Sequence, residues 1–168
     1  LDIEIPWQDM LEEARAIDHM FVRHRPWDGR AWNSVCIHGL GADKTEPWGS
    51  YPEYRDQREE DLCYTWTTAA DQCPVIRDFF ENHFPYVSYT RLRIMRLDPG
   101  GYITPHRDHD RPLLSAVNIS LNNPPGCEMI QAGIGLVPFR DGGSVIWFNT
   151  GYEHAVWNRS QQARYHIL

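Results

Sequence analysis

The first half of the chain has apolar residues at helical spacing in two segments. In residues 6–22 apolar side chains recur every three or four positions after a proline, which predicts a surface helix. Residues 73–84 show the same spacing and predict a second helix. Between them, residues 32–38 are typical of a strand, and the polar residues 42–61 predict a long loop of the kind that often forms a functional lid.

From Tyr89 onward the pattern changes to short strands separated by turns rich in Pro, Gly and Asn. The predicted strands are 89–97, 102–106, 113–121, 127–137, 144–148, 154–158 and 163–168, with turns at 99–101, 122–126 and 141–143. Short strands at this spacing predict an all-β sandwich or barrel, and the period alone does not distinguish the two.

The length fits one globular domain. The chain has 168 residues, of which 42% are hydrophobic and 12% aromatic, and two domains of half this size would each have a small core. We therefore predict a single domain over residues 1–168, with residues 1–88 as a mixed, partly helical support and residues 89–168 as the core. Because the chain opens at Leu1 without Met, it is a candidate for an excised or processed piece.

The charge balance argues against a nucleic-acid partner. Sixteen Lys and Arg against 23 Asp and Glu give a net charge of −7, the wrong sign for binding a phosphate backbone. No apolar run approaches the roughly 18 residues of a membrane span, and no signal-peptide pattern opens the chain. We therefore expect a soluble, cytoplasmic protein without a membrane partner. Its four cysteines form no C-x-x-C pair and are expected to be free thiols, with a Cys63–Cys73 bridge as the alternative.

His106, Asp108 and His154 are candidate metal ligands. In a strand, residues i and i+2 point to the same side, so His106 and Asp108 can converge on one ion, and His154 begins a later predicted strand. Two histidines and one carboxylate are the facial ligand set of non-haem Fe(II) oxygenases. An H-x-D pair is expected roughly once by chance in such a composition, so an exposed polar turn is the alternative. Asp110 is a rival ligand, ranked lower because its spacing from His106 is longer.

Arg164 is the candidate anchor for a co-substrate. If residues 154–158 and 163–168 pair as a hairpin, Arg164 falls opposite Val156, on the face that carries His154. A guanidinium group gives a carboxylate two parallel charge-assisted hydrogen bonds, which suits a dicarboxylic co-substrate beside the metal. A surface or salt-bridged arginine is the alternative.

Three stretches of the second half form a specific pattern. They are LDPGGYITPH (97–106), PGC (125–127) and GSVIWFNTGYEHAVW (143–157), the last followed by Arg164. Together they resemble the aspartyl/asparaginyl β-hydroxylase family, a branch of the Fe(II)- and 2-oxoglutarate-dependent dioxygenases. The resemblance covers about residues 89–168, and its most specific element is E-H-x-V-W with an arginine ten residues beyond the histidine.

The resemblance implies a mainly β fold, a double-stranded β-helix or cupin-like jelly roll flanked by N-terminal helices, with the metal site at one mouth. It implies that His106 and His154 bind iron and that Arg164 holds the distal carboxylate of 2-oxoglutarate. It also places Asn118 about where the family has a polar co-substrate contact. Fe(II), 2-oxoglutarate and O2 are the cofactor and co-substrates that it implies.

Asp108 is a departure from the family's animal member, which lacks the iron-binding carboxylate. A complete triad looks more like the bacterial small-molecule or peptide hydroxylases, including the proline hydroxylases. This departure puts an aspartyl substrate in doubt. His166, which shares a predicted strand face with Arg164, is interpreted as a core histidine.

Arg93 is the candidate for binding the prime substrate. Arg91 and Arg93 share the face of the predicted strand 89–97 that looks into the barrel. Arginines on an inward face are costly unless they meet anions, so we predict that Arg93 binds a substrate carboxylate. A structural salt bridge is the alternative role, and Arg107 and Arg111 are alternative cations at the rim.

These assignments predict a dioxygenase that couples oxidation of 2-oxoglutarate to hydroxylation of an amino acid or of a peptide or protein side chain. A free amino acid of the proline type, or another small molecule, is the alternative substrate. A cupin-type isomerase or metal-binding protein that does not use 2-oxoglutarate is a rival, which Arg164 disfavours. A non-catalytic binding module is a second rival, disfavoured by the complete ligand set.

Overall fold

The computed structural model describes residues 1–86, 88–109 and 114–168, which are mainly β. The two α-helices of this part of the chain are α1 (Trp7–Ala16) and α2 (Pro74–Asp78). Its strands are β1 (Val22–Arg23), β2 (Gly29–Gly39), β3 (Thr65–Trp66), β4 (Leu92–His106), β5 (Leu114–Asn122), β6 (Cys127–Gln131), β7 (Gly135–Leu136), β8 (Val145–Asn149), β9 (His154–Asn158) and β10 (Arg164–Ile167). No helix in the described ranges is long and apolar enough to cross a membrane.

The strands form one antiparallel sheet that divides into two branches at β4. One branch runs from β4 through β9 and β6 to β7, and the other runs from β4 through β10 and β5 to β8. β9 and β10 use one edge of β4, and β2 pairs with the other edge, both before and after the middle of β4. The branches pack on each other through a buried cluster that includes Met129 and Val156 from the first and Phe148 from the second. The predicted mainly β, jelly-roll class is thereby confirmed.

The turn predicted at residues 99–101 does not separate two strands, so that prediction is wrong. β4 continues through these residues and bends where Gly100 has a φ of 71°. Its partner β2 is irregular at the same level, because Ala31 has a φ of 55° and the pairing register shifts between Arg30 and Trp32. Since both strands bulge together, their hydrogen bonding resumes after the bend.

The predicted C-terminal hairpin is also wrong. β9 and β10 both pair with β4 rather than with each other, so Val156 lies opposite Ile103 and Arg164 lies opposite Leu97. The physical reason is that β4 is long enough to offer one edge to both strands. Arg164 nevertheless lines the same pocket as His154, because the two branches close over each other.

One predicted helix is shorter than expected, and one predicted strand is divided in two. The helix predicted over residues 6–22 ends at Ala16, because Val22 pairs with β2 opposite Ser34. The strand predicted over residues 127–137 is divided into β6 and β7 by a turn with positive φ at two glycines.

The remaining predicted elements lie close to their expected places. The second predicted helix is α2 followed by a π-helical turn at Phe79–His83. The loop at residues 42–61 contains three short 3-10 turns and no strand or α-helix. Leu113, the predicted start of β5, lies outside the described residues, and β5 begins at Leu114.

The helices cover the outer face of the β5 branch. Met10 and Ala14 of α1 are fully buried in a cluster with Ile119 and Leu121 of β5. Alternate residues of a strand point to opposite faces, so the same packing directs Asn118 to the inner face. The N-terminal elements therefore hold in place a strand that lines the pocket described below.

Gly101 is expected to tolerate no side chain. A Cβ atom there would lie 2.8 Å from the carbonyl oxygen of Asp98 and 2.9 Å from that of Arg30, and backbone atoms cannot rotate away. We predict that Gly101→Ala lowers the free energy of unfolding by about 1–3 kcal/mol, measured by chemical denaturation. Gly49→Ala, where nothing lies within 4 Å, is the matched control and should change little. Equal stability of the two variants would contradict the proposed close packing at the β4 bend.

Candidate metal centre and pocket

His106, Asp108 and His154 converge at one end of the pocket between the branches. The pairing of β4 with β9 places His106 directly opposite His154, with ring centroids 4.4 Å apart. An oxygen of Asp108 lies 3.4 Å from Nε2 of His106. One ligand atom from each of the three residues lies within 4.8 Å of the other two. The sequence therefore predicted a group of side chains that the fold does bring together.

The strand-geometry argument for Asp108 is nevertheless wrong, because β4 ends at His106. Asp108 lies in a bend after the strand, where its backbone N–H donates to the carbonyl oxygen of Thr150, 3.0 Å away. Thr150 lies between β8 and β9, just before His154. A backbone contact between two loops, and not the alternation of a strand, places the carboxylate beside the histidines.

Both histidines are oriented by the backbone so that Nε2 is free to bind a metal. Nδ1 of His106 lies 2.8 Å from the carbonyl oxygen of Thr104, and Nδ1 of His154 lies 2.9 Å from that of Tyr152. A carbonyl oxygen only accepts hydrogen bonds, so each Nδ1 carries the proton and each Nε2 keeps its lone pair. Metal-binding histidines are commonly fixed in this way. Two imidazole nitrogens and a carboxylate oxygen are the donors that non-haem Fe(II) prefers, so these residues fit the ion.

Arg25 supports Asp108 and was not singled out from the sequence. Its guanidinium lies 3.4 Å from an oxygen of Asp108 and 3.2 Å from one of Glu46. Burial raises the pKa of Asp108, but in the metal-free protein a hydrogen bond from protonated His106, together with the positive charges of the protonated histidines and of Arg25, outweighs this effect and lowers the pKa to about 2. Asp108 is therefore an ionised ligand at neutral pH. Arg25 precedes a predicted strand by several residues, and no motif marks it.

The pocket has a volume of about 320 Å³ and collects residues from most of the sheet. Its apolar wall includes Met95, Ile103, Met129, Phe148 and Val156. The residues that bring charge or hydrogen-bonding groups include the three candidate ligands, Asn118 and four arginines, namely Arg25, Arg91, Arg93 and Arg164. The pocket thus combines an apolar wall with many charged and polar side chains, which suits a small ligand that carries charge.

Arg164 is a buried cation that faces this pocket. Its residue is 4% exposed, and it contacts neutral groups: its Nε donates to Asn123 Oδ1 at 3.2 Å, and Nη2 lies 2.9 Å from His166 Nδ1. Among the described residues no carboxylate pairs with it. Burial lowers the pKa of Arg164 to about 10, so the group stays charged at neutral pH. A buried charge without a counter-ion is costly, and a carboxylate ligand would relieve that cost.

Asn118 and His166 complete the surroundings of Arg164. Asn118 lines the pocket and is 3% exposed, and its Oδ1 lies 2.5 Å from Nδ1 of His166. Burial, and then the charge of Arg164, lower the pKa of His166 well below its ordinary value. His166 is thus a neutral buried histidine, in agreement with its interpretation as a core residue. Its contact with Arg164 agrees with the strand face that the two residues were predicted to share.

Arg93 lines the pocket, and no salt bridge within the described part of the chain accounts for it. Its Nη1 donates to the carbonyl oxygen of Thr45 at 3.0 Å, while its Nε is buried and has no hydrogen-bond partner in residues 1–86, 88–109 and 114–168. Nη1 of Arg91 is also buried and lacks a hydrogen-bond partner within the same ranges. Burial, and then the neighbouring charge of Arg91, lower the pKa of Arg93 to about 10. Neither arginine pairs with a carboxylate of the described residues.

Other residues that the sequence brought forward fall elsewhere. Asp110, the rival ligand, and Arg111, a rim alternative, lie outside the described residues. Arg107 is exposed and does not line the pocket.

Comparison with known proteins identifies the family. A family model described as aspartyl/asparaginyl beta-hydroxylase matches residues 5–168. A prolyl hydroxylase from Trichoplax adhaerens, solved in complex with a hypoxia inducible factor peptide fragment, has a similar fold. The two structures align with a TM-score of 0.54 and 13% sequence identity, and the alignment covers 96% of this chain and 75% of that chain. A Pseudomonas putida prolyl-4-hydroxylase aligns with TM-score 0.49 and 15% identity over 99% of this chain and 87% of that chain.

Sequence comparison with curated proteins gives no significant match. At such low identity the solved structures show the fold alone, whereas the family model covers nearly the whole chain, including all the candidate ligands. The protein therefore belongs to the aspartyl/asparaginyl β-hydroxylase family of Fe(II)- and 2-oxoglutarate-dependent oxygenases and is a 2-oxoglutarate-dependent dioxygenase.

Proposed function

We propose that this protein binds one Fe(II) through His106, Asp108 and His154 and hydroxylates a C–H bond of a peptide or amino acid. The observation that carries the proposal is one pocket that holds both the two-histidine, one-carboxylate group and a buried arginine without a counter-ion. The first fits the metal, and the second fits a dicarboxylic co-substrate. Membership of a hydroxylase family supports this chemistry.

In this proposal Arg164 and Asn118 bind 2-oxoglutarate. Arg164 forms paired hydrogen bonds with the distal carboxylate, and its fixed contacts to Asn123 and His166 hold the guanidinium in one orientation before the co-substrate arrives. Asn118 supplies a neutral polar contact from the neighbouring strand. This pre-organisation reduces the entropy lost on binding.

The other residues of the pocket orient groups and exclude water. Bound Fe(II) with 2-oxoglutarate and O2 supplies the oxidising power for C–H hydroxylation. The backbone carbonyls of Thr104 and Tyr152 keep both histidines in the metal-binding tautomer, and Arg25 pairs with the carboxylate of Asp108. The apolar wall keeps bulk water away from the reacting carbon.

Several observations bear on the substrate and the cellular setting. The Trichoplax enzyme of similar fold was solved with a peptide, which supports a peptide substrate here, and Arg93 is the proposed contact for its carboxylate. All four cysteines are free, with Cys63 exposed. Free thiols of this kind fit a reducing compartment, so we propose a cytoplasmic enzyme whose residues 1–168 act as one catalytic domain.

The test is Fe(II)-dependent formation of succinate from 2-oxoglutarate. We expect succinate only when Fe(II) is added, and a gain of one oxygen atom in the product when amino acids and short peptides are screened by mass spectrometry. Metal binding without any consumption of 2-oxoglutarate, by the protein alone or with any screened compound, would favour the cupin-type isomerase. Binding of neither Fe(II) nor 2-oxoglutarate would favour a non-catalytic module.

A further inference from the structure

Glu46 connects the loop at residues 42–61 to the segment that carries Arg25. Its Oε2 accepts a hydrogen bond from Nε of Arg25 at 3.2 Å, and its Oε1 lies 3.0 Å from Nδ1 of His24. The backbone N–H of Glu46 donates to the hydroxyl oxygen of Tyr51 at 2.8 Å. Both the backbone and the carboxylate of Glu46 are therefore fixed.

The guanidinium of Arg25 extends this connection to the candidate metal centre. While its Nε faces Glu46, its Nη1 lies 3.4 Å from Oδ1 of Asp108. The same oxygen lies 3.4 Å from Nε2 of His106. Arg25 therefore holds the carboxylate of Asp108 turned towards the histidines. Because a guanidinium is planar and rigid, it contacts both carboxylates in only one orientation.

The backbone of Arg25 is strained. Its φ is 37°, a left-handed conformation that costs free energy for a residue with a side chain. The N–H of His24 donates to the carbonyl oxygen of Trp32, and the N–H of Asp28 donates to that of Arg25, both at 2.9 Å. Such strain persists where the surrounding structure fixes it, and it is concentrated at functional sites. A glycine would relieve the strain but could not supply a guanidinium.

We propose that Glu46 is a positioning residue for the metal centre: it orients the guanidinium of Arg25, which in turn holds Asp108 in place to bind Fe(II). Glu46 also balances the charge of Arg25, which would otherwise repel a cation bound by Asp108. The inference rests on the proposed function for the identity of the metal site. It adds that a loop residue outside the ligand set determines the affinity for the metal.

Two substitutions at Glu46 separate its orientation from its charge. Glu46→Asp keeps the charge, but its carboxylate is one methylene shorter and cannot reach both Arg25 and His24. Glu46→Gln keeps the length and removes the counter-ion. Changing the partners that orient a metal ligand typically weakens metal binding about 10- to 100-fold, so we expect each variant to bind Fe(II) about 10-fold more weakly. Equilibrium dialysis under nitrogen measures the affinity, and circular dichroism measures folding.

A double-mutant cycle tests whether Glu46 acts through Arg25. Arg25→Met removes the guanidinium, so adding Glu46→Asp to that variant should change the Fe(II) affinity by no more than about twofold. Arg25→Lys is the further variant should Arg25→Met not fold. Lysine keeps the charge, but one ammonium group cannot reproduce both contacts of the guanidinium, so Arg25→Lys should weaken Fe(II) binding as much as Glu46→Asp does.

Glu53→Asp is the matched control for the loop. Glu53 belongs to the same loop and pairs with Lys44 at 2.6 Å, yet it is exposed. It lines neither the metal pocket nor a second cavity, of about 360 Å³, that adjoins the pocket. Glu53→Asp should bind Fe(II) as the wild-type protein does.

Unchanged Fe(II) affinity in folded Glu46→Asp would overturn the inference, even if the variant were less stable, because Glu46 would then only fasten the loop. Weaker binding in Glu46→Gln alone would also overturn it, since charge and not orientation would be responsible. Weaker binding in Glu46→Asp alone would leave it standing. Effects of Glu46→Asp and Arg25→Met that multiply in the double variant would show that Glu46 does not act through Arg25.

The wild-type protein separates this inference from the proposed function. If it binds Fe(II) but consumes no 2-oxoglutarate, the proposed function fails, and the affinities of the variants still decide the inference. If it binds Fe(II) and forms succinate while Glu46→Asp binds Fe(II) equally well, the inference alone fails. A wild-type protein that binds no Fe(II) would overturn both.

Discussion

His154→Ala is expected to abolish turnover and to weaken Fe(II) binding by more than about 100-fold. Mutating a residue that only hydrogen-bonds to a metal ligand typically weakens metal binding about 10- to 100-fold, and losing the ligand itself should cost more. His154 begins β9 directly opposite His106, and its Nδ1 is held by the carbonyl oxygen of Tyr152, so neighbouring side chains cannot replace Nε2. Equilibrium dialysis with Fe(II) under nitrogen measures the affinity, and succinate formation measures turnover.

The matched control for this prediction is His83→Ala, at an exposed histidine that lines neither cavity. It should bind Fe(II) as the unaltered protein does. Retention of one tightly bound Fe(II) and of turnover in His154→Ala would show that the metal lies elsewhere. In the same series, activity that survives in Asp108→Ala would move this protein towards the branch of its family that works without the carboxylate.

Arg164→Lys is expected to raise the KM for 2-oxoglutarate about 10- to 100-fold while Fe(II) affinity stays nearly constant. Lysine keeps the charge but cannot form two parallel hydrogen bonds, and its amine cannot reproduce both contacts of the guanidinium to Asn123 and His166. Initial rates of succinate formation over a range of 2-oxoglutarate concentrations give the KM.

Arg159→Lys, at an exposed arginine in the turn after β9, is the control and should leave the KM unchanged. A parallel loss of Fe(II) binding and 2-oxoglutarate affinity in Arg164→Lys would mean that Arg164 mainly stabilises β10 against β4. An unchanged KM would mean that the co-substrate carboxylate binds elsewhere in the pocket.

The local pattern of the sequence was sufficient for most elements of the sheet. β2, β8, β9 and β10 lie within a few residues of their predicted bounds, because alternation of apolar and polar side chains reflects which face of a strand is buried. The same local information predicted that Arg93 points inward. His106, His154 and Arg164 were recognisable because the motif around them is specific.

Tertiary structure alone decided how these elements meet. The Pro-Gly-Gly sequence at residues 99–101 suggested a chain reversal, but a matching irregularity at Ala31 of β2 lets β4 continue through the bend. Strands 154–158 and 163–168 are adjacent in sequence and suggested a hairpin, yet each pairs more favourably with the long edge of β4. Strand pairing depends on partners distant in sequence, which a local pattern does not contain.

The same distinction applies to the site. The side chains available to bind a metal and a carboxylate could be recognised without the fold, and they are those of His106, Asp108, His154 and Arg164. Only the fold showed that Asp108 is placed by a backbone contact to Thr150 and supported by Arg25, 83 residues before it. Such contacts form when loops from different strands close over one pocket, and their geometry follows from the packing of the whole sheet rather than from neighbouring residues.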